Sequence, residues 1–507
     1  TTPARVGING GACTYGSIRD AVAAAVSGDT LYLVGGTYYE NVDIYNKSLT
    51  LAGGYVADCV TPGGGTTTVN GLANGGSVFD IGHATVVLRD LRITGGNATG
   101  GGLDVGSDAH VTLDNADIYG NTAPYGGGVW VGLGAVVTAT NGSAIYNNTA
   151  TTDGGGVRVN GGKFVGGDTT SDIHDNTAVN GGGISVTTGG VALLIGSDLL
   201  RNQATGATGQ GGGIHVTAGS VVTLTGVVWI YDGHTAYDGA GIYADASRVD
   251  LLGGTSIQGG TASHYGGGLY LTNGSTLAAD LVTVGYPAAS GKNRAVVGAG
   301  IYADSSAIHF TGDIVNNEAS NSGAGLYALG GTVRLTSTSV GGTGANEPNV
   351  IGAGGLNGAG LYLTGGTHAT LQNTDVTSNT LTNLATGYGG GLYVSAGSVV
   401  TLTNSRVERH VLPSGFDGRG AGIYVNASTV TLDNTDLLSN TAGTAAGAVR
   451  VFDGGTLNIV NGSELNNNRA LSGEGGAIAV TSGTPDINLA DVVLRDNTAA
   501  TAGGGDL

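Results

Sequence analysis

Short stretches that alternate apolar and variable residues recur along most of the chain. Each is opened by Gly-Gly-Gly or Gly-Ala-Gly and an aliphatic residue, as at Gly126-Gly127-Gly128-Val129 and Gly239-Ala240-Gly241-Ile242. The variable residue stands between two aliphatic ones, as in Val129-Trp130-Val131 and Leu392-Tyr393-Val394. Alternation with a period of two predicts a β-strand with one buried face. We call it the anchor strand.

Two further stretches complete each repeat of about 28 residues. One is typified by Val222-Thr223-Leu224 and Val400-Thr401-Leu402, and the other has the form aliphatic-x-x-Asn. Three strands in so short a repeat cannot form hairpins that bury their own apolar face. They fit one coil of a solenoid, in which each strand pairs in parallel with its equivalents in the neighbouring coils. The sequence therefore predicts an all-β fold, a right-handed, single-stranded parallel β-helix of roughly 17 coils.

The asparagine that ends the third stretch recurs from coil to coil. It is found at Asn121, Asn148, Asn176, Asn202, Asn317, Asn440 and Asn497. Stacked amides can satisfy one another, so we expect a buried amide ladder. His234 takes the equivalent place in one coil, and we interpret it as a polar substitute in the ladder rather than a catalytic group.

The first residues differ from the repeat. Ser17 followed by apolar residues at helical spacing up to Val26 predicts a short amphipathic helix that covers the open end of the core. We expect two regions, an N-terminal segment with this capping helix over residues 1–30 and the β-helix over residues 31–507. Cys13 and Cys59 lie outside the regular repeat. We interpret them as a disulfide, with two buried free thiols as the alternative.

Composition narrows the setting. The 18 Lys and Arg residues against 37 Asp and Glu residues give a net charge of −19, which disfavours nucleic acid as a partner. No apolar run is long enough to span a membrane. The chain starts at Thr1, which we interpret as a processed start. A disulfide would indicate an oxidising, extracellular location.

Two sets of motifs resemble known families. The entry segment resembles that of many pectin-lyase-like parallel β-helices, through Ser17-Ile18 to Ala21, Gly28-Asp29-Thr30 and Gly36-Thr37-Tyr38-Tyr39-Glu40. The anchor paired with aliphatic-x-x-Asn resembles the repeats of polymorphic outer-membrane proteins and related bacterial adhesins. In those families the second motif usually opens with Phe, whereas here it opens with Ile, Leu or Val. The resemblance implies the solenoid fold and a secreted or cell-surface protein of bacterial or archaeal type.

Pectin-lyase-like folds often host polysaccharide hydrolases and lyases, so an enzyme must be considered. The Asp-Asp pair, Gly-His-Gly and Arg-Ile-Lys of a polygalacturonase do not occur in the sequence. Lyases of this fold use an acidic Ca²⁺ cluster with an Arg or Lys base, but Lys47, Lys163 and Lys292 are the only lysines. Since fold alone does not grant an activity, we expect no enzyme, no catalytic residue, no bound metal and no cofactor.

The variable residue of the anchor strand is tyrosine in seven consecutive coils. This tyrosine column consists of Tyr243, Tyr270, Tyr302, Tyr327, Tyr362, Tyr393 and Tyr424. Its side chains point away from the core, and exposed tyrosines in a row suit a docking surface for a partner subunit or a sugar. The alternative is that stacked aromatic residues only stabilise the sheet.

Four coils are longer than the rest. The extra residues lie at 286–297, 344–356, 381–388 and 408–419, just before an anchor. We expect them to protrude from one corner beside the tyrosine column, where insertions often mark the binding face of a solenoid. Neutral drift in tolerant loops is the alternative. Their charged or titratable residues are Lys292, Arg294, Glu347, Arg409, His410, Asp417 and Arg419.

The last residues, Gly503-Gly504-Gly505-Asp506-Leu507, open a further anchor. An uncapped parallel edge is a template for strand addition, so we expect self-association, head-to-tail into a filament or laterally into an array, to which residues 1–12 would add a strand. The alternative is that a further segment has been removed or left out. The sequence thus predicts a non-enzymatic extracellular structural or adhesive protein. The alternative is a glycan-binding or glycan-cleaving β-helix that uses the tyrosine face.

Overall fold

The structure is a computed structural model, and it describes residues 5–72, 75–342, 344, 347–352, 354–382, 386–412 and 417–500. It divides into two compact units, Thr1–Tyr243 and Ala244–Leu507. Both are stacks of coils whose strands pair in parallel with the coils before and after. The 16 anchor strands agree with the roughly 17 coils that the repeat predicted. The predicted all-β parallel solenoid is therefore confirmed.

A short helix at the N-terminal end of unit 1 confirms another prediction. It spans Ile18–Ala24, and the Ser17 side chain caps it by accepting from the backbone N–H of Asp20 at 3.1 Å. The buried Glu40 carboxylate accepts from the N–H groups of Ile18 and Arg19 at 2.9 and 3.0 Å. Both partners satisfy helix N–H groups that have no acceptor within the helix. A single 3₁₀ turn, Ala289–Gly291, lies in unit 2.

Unit 1 places three kinds of strand in each coil. The anchor strands are Val42–Tyr45, Phe79–Gly82, Leu103–Val105, Val129–Val131, Val157–Asn160, Ile184–Thr187 and Ile214–Val216, and Ile242–Asp245 contains the boundary between the units. The wide sheet holds two strands per coil. The first are Thr30–Val34, Leu49–Tyr55, Thr85–Arg89, His110–Asp114, Val136–Thr140, Lys163–Gly166, Val191–Ile195 and Val221–Thr225. The second are Gly36–Tyr39, Thr67–Asn70, Leu91–Thr94, Asp117–Tyr119, Ile145–Tyr146, Ile173–His174, Leu199–Leu200 and Trp229–Tyr231.

A corner strand between the ladder asparagine and the next anchor was not predicted. In unit 1 the corner strands are Thr122–Tyr125, Thr149–Asp153, Thr177–Ala178, Gln203–Ala204 and Thr235–Asp238. They contain few aliphatic residues, so hydrophobic periodicity did not reveal them. One antiparallel pair, Val6–Ile8 with Thr30–Val34, precedes the stack.

Unit 2 repeats this plan with more variation. Its anchor strands are Leu269–Thr272, Ile301–Asp304, Leu326–Leu329, Leu361–Thr364, Leu392–Val394, Ile423–Asn426, Val449–Phe452 and Ile478–Thr481. In three coils the two wide-sheet strands merge into one bulged strand, at Thr276–Val284, Ala307–Ile314 and Thr332–Gly341. The remaining wide-sheet strands are Arg248–Leu252, Ser256–Ile257, His368–Gln372, Asp375–Thr377, Val399–Thr403, Arg406–Glu408, Thr429–Asp433, Asp436–Leu438, Thr456–Val460, Ser463–Asn466, Asp486–Leu489 and Val492–Arg495. The corner strands are Thr261–Tyr265, Asn293–Val297, Asn317–Ser322, Val350–Ile351, Thr380–Leu381, Thr386–Tyr388, Asp417–Arg419, Thr441–Ala442, Arg469–Ala470 and Thr498–Ala499.

The glycines of the anchor are required by geometry. Gly154 has φ +70°, a left-handed conformation that residues with a Cβ adopt at a cost. At Gly155 a Cβ would lie 2.4 Å from the carbonyl oxygen of Gly182 in the next coil. The sequence signature therefore reflects both a turn and the close approach of successive backbones.

The predicted amide ladders are present in both units. Asn148 Nδ2 donates to Asn176 Oδ1 at 3.1 Å and to the carbonyl oxygen of Ile118 at 2.9 Å, and Asn148 Oδ1 accepts from Asn121 Nδ2 at 3.0 Å. Unit 1 runs Asn121, Asn148, Asn176, Asn202 and His234. Unit 2 runs Asn293, Asn317, Asn349, Asn379, His410, Asn440, Asn468 and Asn497. These polar groups are buried but satisfied, so the ladder stabilises the stack.

Cys13 and Cys59 form a disulfide, as the sequence predicted, with their Cα atoms 5.2 Å apart. The bond joins the first residues of the chain to the loop after Leu49–Tyr55. It therefore fastens the N-terminal end of unit 1.

Candidate functional site

His234 occupies the ladder of unit 1, as predicted. Its Nε2 donates to the carbonyl oxygen of Leu199 at 3.0 Å, and its Nδ1 accepts from the N–H of Asn202 at 3.2 Å. This arrangement uses the neutral ring with the proton on Nε2. Complete burial lowers the pKa of His234 to about 4, so the ring is uncharged at neutral pH. The contacts are those of a structural residue.

His410 was predicted to protrude in an insertion, and that prediction is wrong. Its side chain is 0 % exposed and lies in the ladder of unit 2. His410 Nε2 donates to the carbonyl oxygen of Val376 at 3.0 Å, and its backbone N–H donates to Asn440 Oδ1 at 3.1 Å. Burial lowers its pKa to about 4. The signal was Val407 three residues earlier, which completes an aliphatic-x-x-His version of the motif.

The six members of the tyrosine column in unit 2 form a continuous stack. Ring centroids are 5.1 Å apart for Tyr302 and Tyr327, 4.6 Å for Tyr327 and Tyr362, and 4.7 Å for Tyr362 and Tyr393. The stack continues to Tyr424 at 5.3 Å. Tyr270 makes an edge contact with Tyr302 at the other end. In unit 1, Tyr243 stacks on His215 at 5.4 Å.

The column is less open than the sequence suggested. Tyr302 and Tyr424 are 6 % and 5 % exposed, while Tyr327, Tyr362 and Tyr393 are half-buried. Tyr265 packs over Tyr302 with centroids 4.3 Å apart, and Tyr388 covers Tyr424 at 5.0 Å. Tyr265 and Tyr388 are the residues directly before an anchor, a position that we call the pre-anchor position.

Stacking determines what the column can offer a ligand. From Tyr302 to Tyr424 each ring covers a face of the next ring, whereas sugar stacking needs an exposed face. Burial raises the pKa of Tyr362 and Tyr424 to about 12 and raises that of Tyr302 as well. The hydroxyls therefore remain neutral donors and acceptors. The geometry favours stabilisation of the anchor sheet, and the docking role stays a prediction.

A polar groove lies on the wide sheet of unit 2. It has a volume of about 630 Å³. Its floor carries Asp313, Ser339, Asp375 and Arg406, which lie in register on successive coils. All but Ser339 are exposed. The groove is thus a line of charged side chains with both signs.

Residues from the longer coils form its rim. Tyr286, Glu347 and Arg409 each come from a different insertion. Glu347 Oε2 accepts from the N–H of Gly344 at 2.6 Å, which fixes that carboxylate, and the buried Glu408 lies 3.6 Å from Arg409 Nη1.

The insertions therefore do not all lie beside the tyrosine column. Tyr388, Asp417 and Arg419 lie on that side, whereas Glu347 and Arg409 line the groove. Lys292 and Arg294 pair with Glu318 at 3.1 and 3.4 Å. Within the insertions, Asn293, Asn349 and His410 are ladder residues. The longer coils therefore contain buried ladder residues as well as exposed ones. Residue spacing alone did not reveal this difference.

The groove floor was missed because its residues occupy the variable position before the buried aliphatic residue of aliphatic-x-x-Asn. The only signal was a concentration of charge there, at Asp313, Asp375, Arg406 and Asp436. Among the described residues, no group of three or more His, Cys, Asp or Glu side chains could hold a metal ion. Within the same residues, no helix has the length and apolar character needed to cross a bilayer.

Comparison with known proteins identifies the fold. Residues 299–504, all in unit 2, match the family model described as "Right handed beta helix region". No curated protein and no solved structure matches the chain. The match covers less than half of the chain, but unit 1 has the same coil plan, with parallel strands and an amide ladder. The chain therefore has the right-handed parallel β-helix fold that the sequence predicted.

Proposed function

We propose that the protein is a non-enzymatic extracellular scaffold, structural or adhesive in role. The observation that carries this proposal is the commitment of side chains to coil stacking. The asparagines of both ladders, the interior aliphatic residues and the tyrosine column all bond or pack along the stacking direction. A stack with satisfied buried amides resists local opening, which suits a protein that keeps its shape outside the cell.

Two properties support the extracellular part of the proposal. The Cys13–Cys59 disulfide is typical of an oxidising compartment. The net charge of −19 keeps such a surface soluble and disfavours non-specific binding to anionic polymers. Head-to-tail assembly remains a prediction, because residues 501–507 lie outside the described residues.

A second candidate is a glycan-binding or glycan-cleaving protein that uses the groove of unit 2 rather than the tyrosine face. Asp313 and Asp375 are two coils apart in register, which corresponds to about 10 Å between their backbones. An inverting glycosidase separates its two carboxyl groups by about 6.5–9.5 Å. Arg406 and Arg409 at one end add donors for hydroxyl or carboxylate oxygens.

One experiment separates the two candidates. The purified chain is tested on a glycan array and on immobilised cell-surface polysaccharides, and the supernatants are assayed for new reducing ends and unsaturated products. The scaffold proposal predicts no released product and no retention that depends on the groove. Product formation that depends on the groove would make it wrong.

Matched variants assign any activity to the groove. The double variant Asp313→Asn and Asp375→Asn removes both floor carboxylates, while Asp436→Asn removes one from the same outward column beyond the groove lining. Binding or cleavage lost in the double variant and retained in Asp436→Asn would establish the second candidate. Loss in both variants to the same extent would indicate a general charge effect.

A further inference from the structure

Arg450 is a buried cation in the anchor sheet of unit 2. It lies directly after Tyr424 in the same outward column and is 6 % exposed. Its Nε atom is buried and has no hydrogen-bond partner among the described residues. Burial lowers the pKa of Arg450 below its ordinary value. A buried guanidinium without a partner is costly, because the lost hydration is not replaced.

Unit 1 contains the same position with its partners in place. Arg158 is the outward residue of the anchor strand Val157–Asn160 and forms an ion pair with Asp153 through Nη1. Its guanidinium also lies over the ring of Tyr125, 5.0 Å from the centroid. Asp153 and Tyr125 are the pre-anchor residues of the same coil and of the coil before.

In unit 2 both pre-anchor positions are changed. Ala445 stands five residues before Arg450, where Asp153 stands before Arg158, and Arg419 is its bridge partner in the preceding coil. A methyl group and a second guanidinium thus replace a carboxylate and an aromatic ring. Neither pre-anchor position therefore carries a carboxylate, and among the described residues no carboxylate forms an ion pair with Arg450.

The nearest acidic groups do not fill this gap. Asp417 Oδ1 accepts from Arg419 Nε at 2.6 Å and from the Thr444 hydroxyl at 3.2 Å, so this carboxylate is already bonded to groups other than Arg450. Glu474 is exposed and forms no ion pair with Arg450 among the described residues. Both groups act on Arg450 only through longer-range attraction.

We propose that Arg450 and Arg419 form a binding site for the carboxylate group of a small organic acid. The ligand carboxylate would occupy the place that Asp153 holds beside Arg158. Arginine suits this role because its planar donors match a carboxylate. Ala445 and Arg419 are both partly exposed, which leaves the site open on that side.

Acetate is a suitable probe for this site. Saturation-transfer NMR on the full chain at pH 7, in constant ionic strength set with sodium chloride, measures its binding. The wild type is expected to bind acetate, and Arg450→Gln to bind it at least tenfold more weakly. Arg450→Tyr, which extends the tyrosine column, serves as a second variant should the glutamine disturb folding. Absence of acetate binding to the wild type would overturn the proposal and leave an arginine hydrated by water.

Ala445→Asp is the sharpest variant, because it restores the carboxylate of unit 1. It should abolish acetate binding and raise the melting temperature, whereas Arg158→Gln in unit 1 should leave acetate binding unchanged. Undiminished binding in Ala445→Asp would contradict the proposed location. Glu474→Gln checks the competing explanation: destabilisation as large as that of Arg450→Gln would make Glu474 the partner and overturn the proposal.

Discussion

The ladder asparagines satisfy backbone groups that the coil geometry would otherwise leave unbonded. Asn148 accepts from both the backbone N–H and the side chain of Asn121, and it donates to Ile118 and Asn176. Solvent water cannot replace these hydrogen bonds, because Asn148 is 0 % exposed. Each asparagine therefore links three coils.

Asn148→Ala tests this link. It leaves buried donors and acceptors unbonded, and each such group costs about 1–3 kcal/mol, so we expect a loss of about 3–5 kcal/mol in the free energy of unfolding of unit 1. Chemical denaturation followed by circular dichroism measures it. The control is Asn160→Ala, which removes one exposed hydrogen bond from Thr188 and should cost less than about 1 kcal/mol. Equal losses of unfolding free energy in the two variants would show that the ladder hydrogen bonds stabilise unit 1 no more than an exposed hydrogen bond does.

The two buried histidines add a pH dependence. Their folded pKa of about 4 lies below the unfolded value of about 6.5. The unfolded chain thus binds protons first as the pH falls. As the pH falls from 6.5 to 4, each histidine therefore lowers the free energy of unfolding by about 3 kcal/mol, and above pH 6.5 it causes no such loss. Asp104 and Asp198 act in the opposite sense, because their pKa values are raised to about 7 and 6.

Comparison of the wild type with His234→Asn plus His410→Asn isolates the histidines. Melting temperatures measured from pH 4 to 7 should fall less steeply towards acid in the double variant than in the wild type. His309→Asn, at an exposed position, should leave the profile unchanged. Parallel profiles for the wild type and the double variant would contradict the structural role of both rings.

The tyrosine column adds packing on the outer face of the anchor sheet in unit 2. Tyr362 lies between Tyr327 and Tyr393 with both ring faces covered. An aromatic pair contributes about 0.5–1.5 kcal/mol beyond area burial. The column therefore stabilises the outer face of the anchor sheet, as the aliphatic core stabilises its inner face.

Tyr362→Ala should lower the free energy of unfolding by about 2–4 kcal/mol, because it breaks two stacked pairs and uncovers their neighbours. Tyr362→Phe keeps the stack and should cost less than about 1 kcal/mol. Tyr39→Ala, at a side chain that is 64 % exposed, is the control. A column that serves only for docking would show no stability loss in Tyr362→Ala.

Helices and strands were predicted correctly from the sequence where the local hydrophobic pattern agrees with the packing in the structure. The helix predicted after Ser17 is present and is shorter at its end by two residues. The corner strands were missed, because they are held by hydrogen bonds between coils and not by an apolar face. His410 was misplaced because its coil length, rather than its motif, guided the prediction. The groove could not be predicted, since its residues meet only through the coil register.

The disulfide stabilises the N-terminal end of unit 1. The Cys13–Cys59 bond spans 46 residues of unit 1, and closing such a loop in the unfolded chain is worth about 4 kcal/mol in the chain-entropy model. Cys13→Ser plus Cys59→Ser should lower the stability of unit 1 by about that amount. Protease digestion with peptide mapping should show earlier cleavage in residues 5–72. Unchanged cleavage there would mean that the loop is held by its other contacts.

We infer that coil-to-coil stacking makes each unit rigid. Hydrogen–deuterium exchange of the intact chain, read by mass spectrometry, tests it most directly. Peptides containing Asn148, Asn176, Asn440 and Asn468 should exchange slowest and together within each unit, while the segment around Tyr286 at the groove rim should exchange faster. Fast exchange at the ladder asparagines, on the timescale of the rim, would contradict the account.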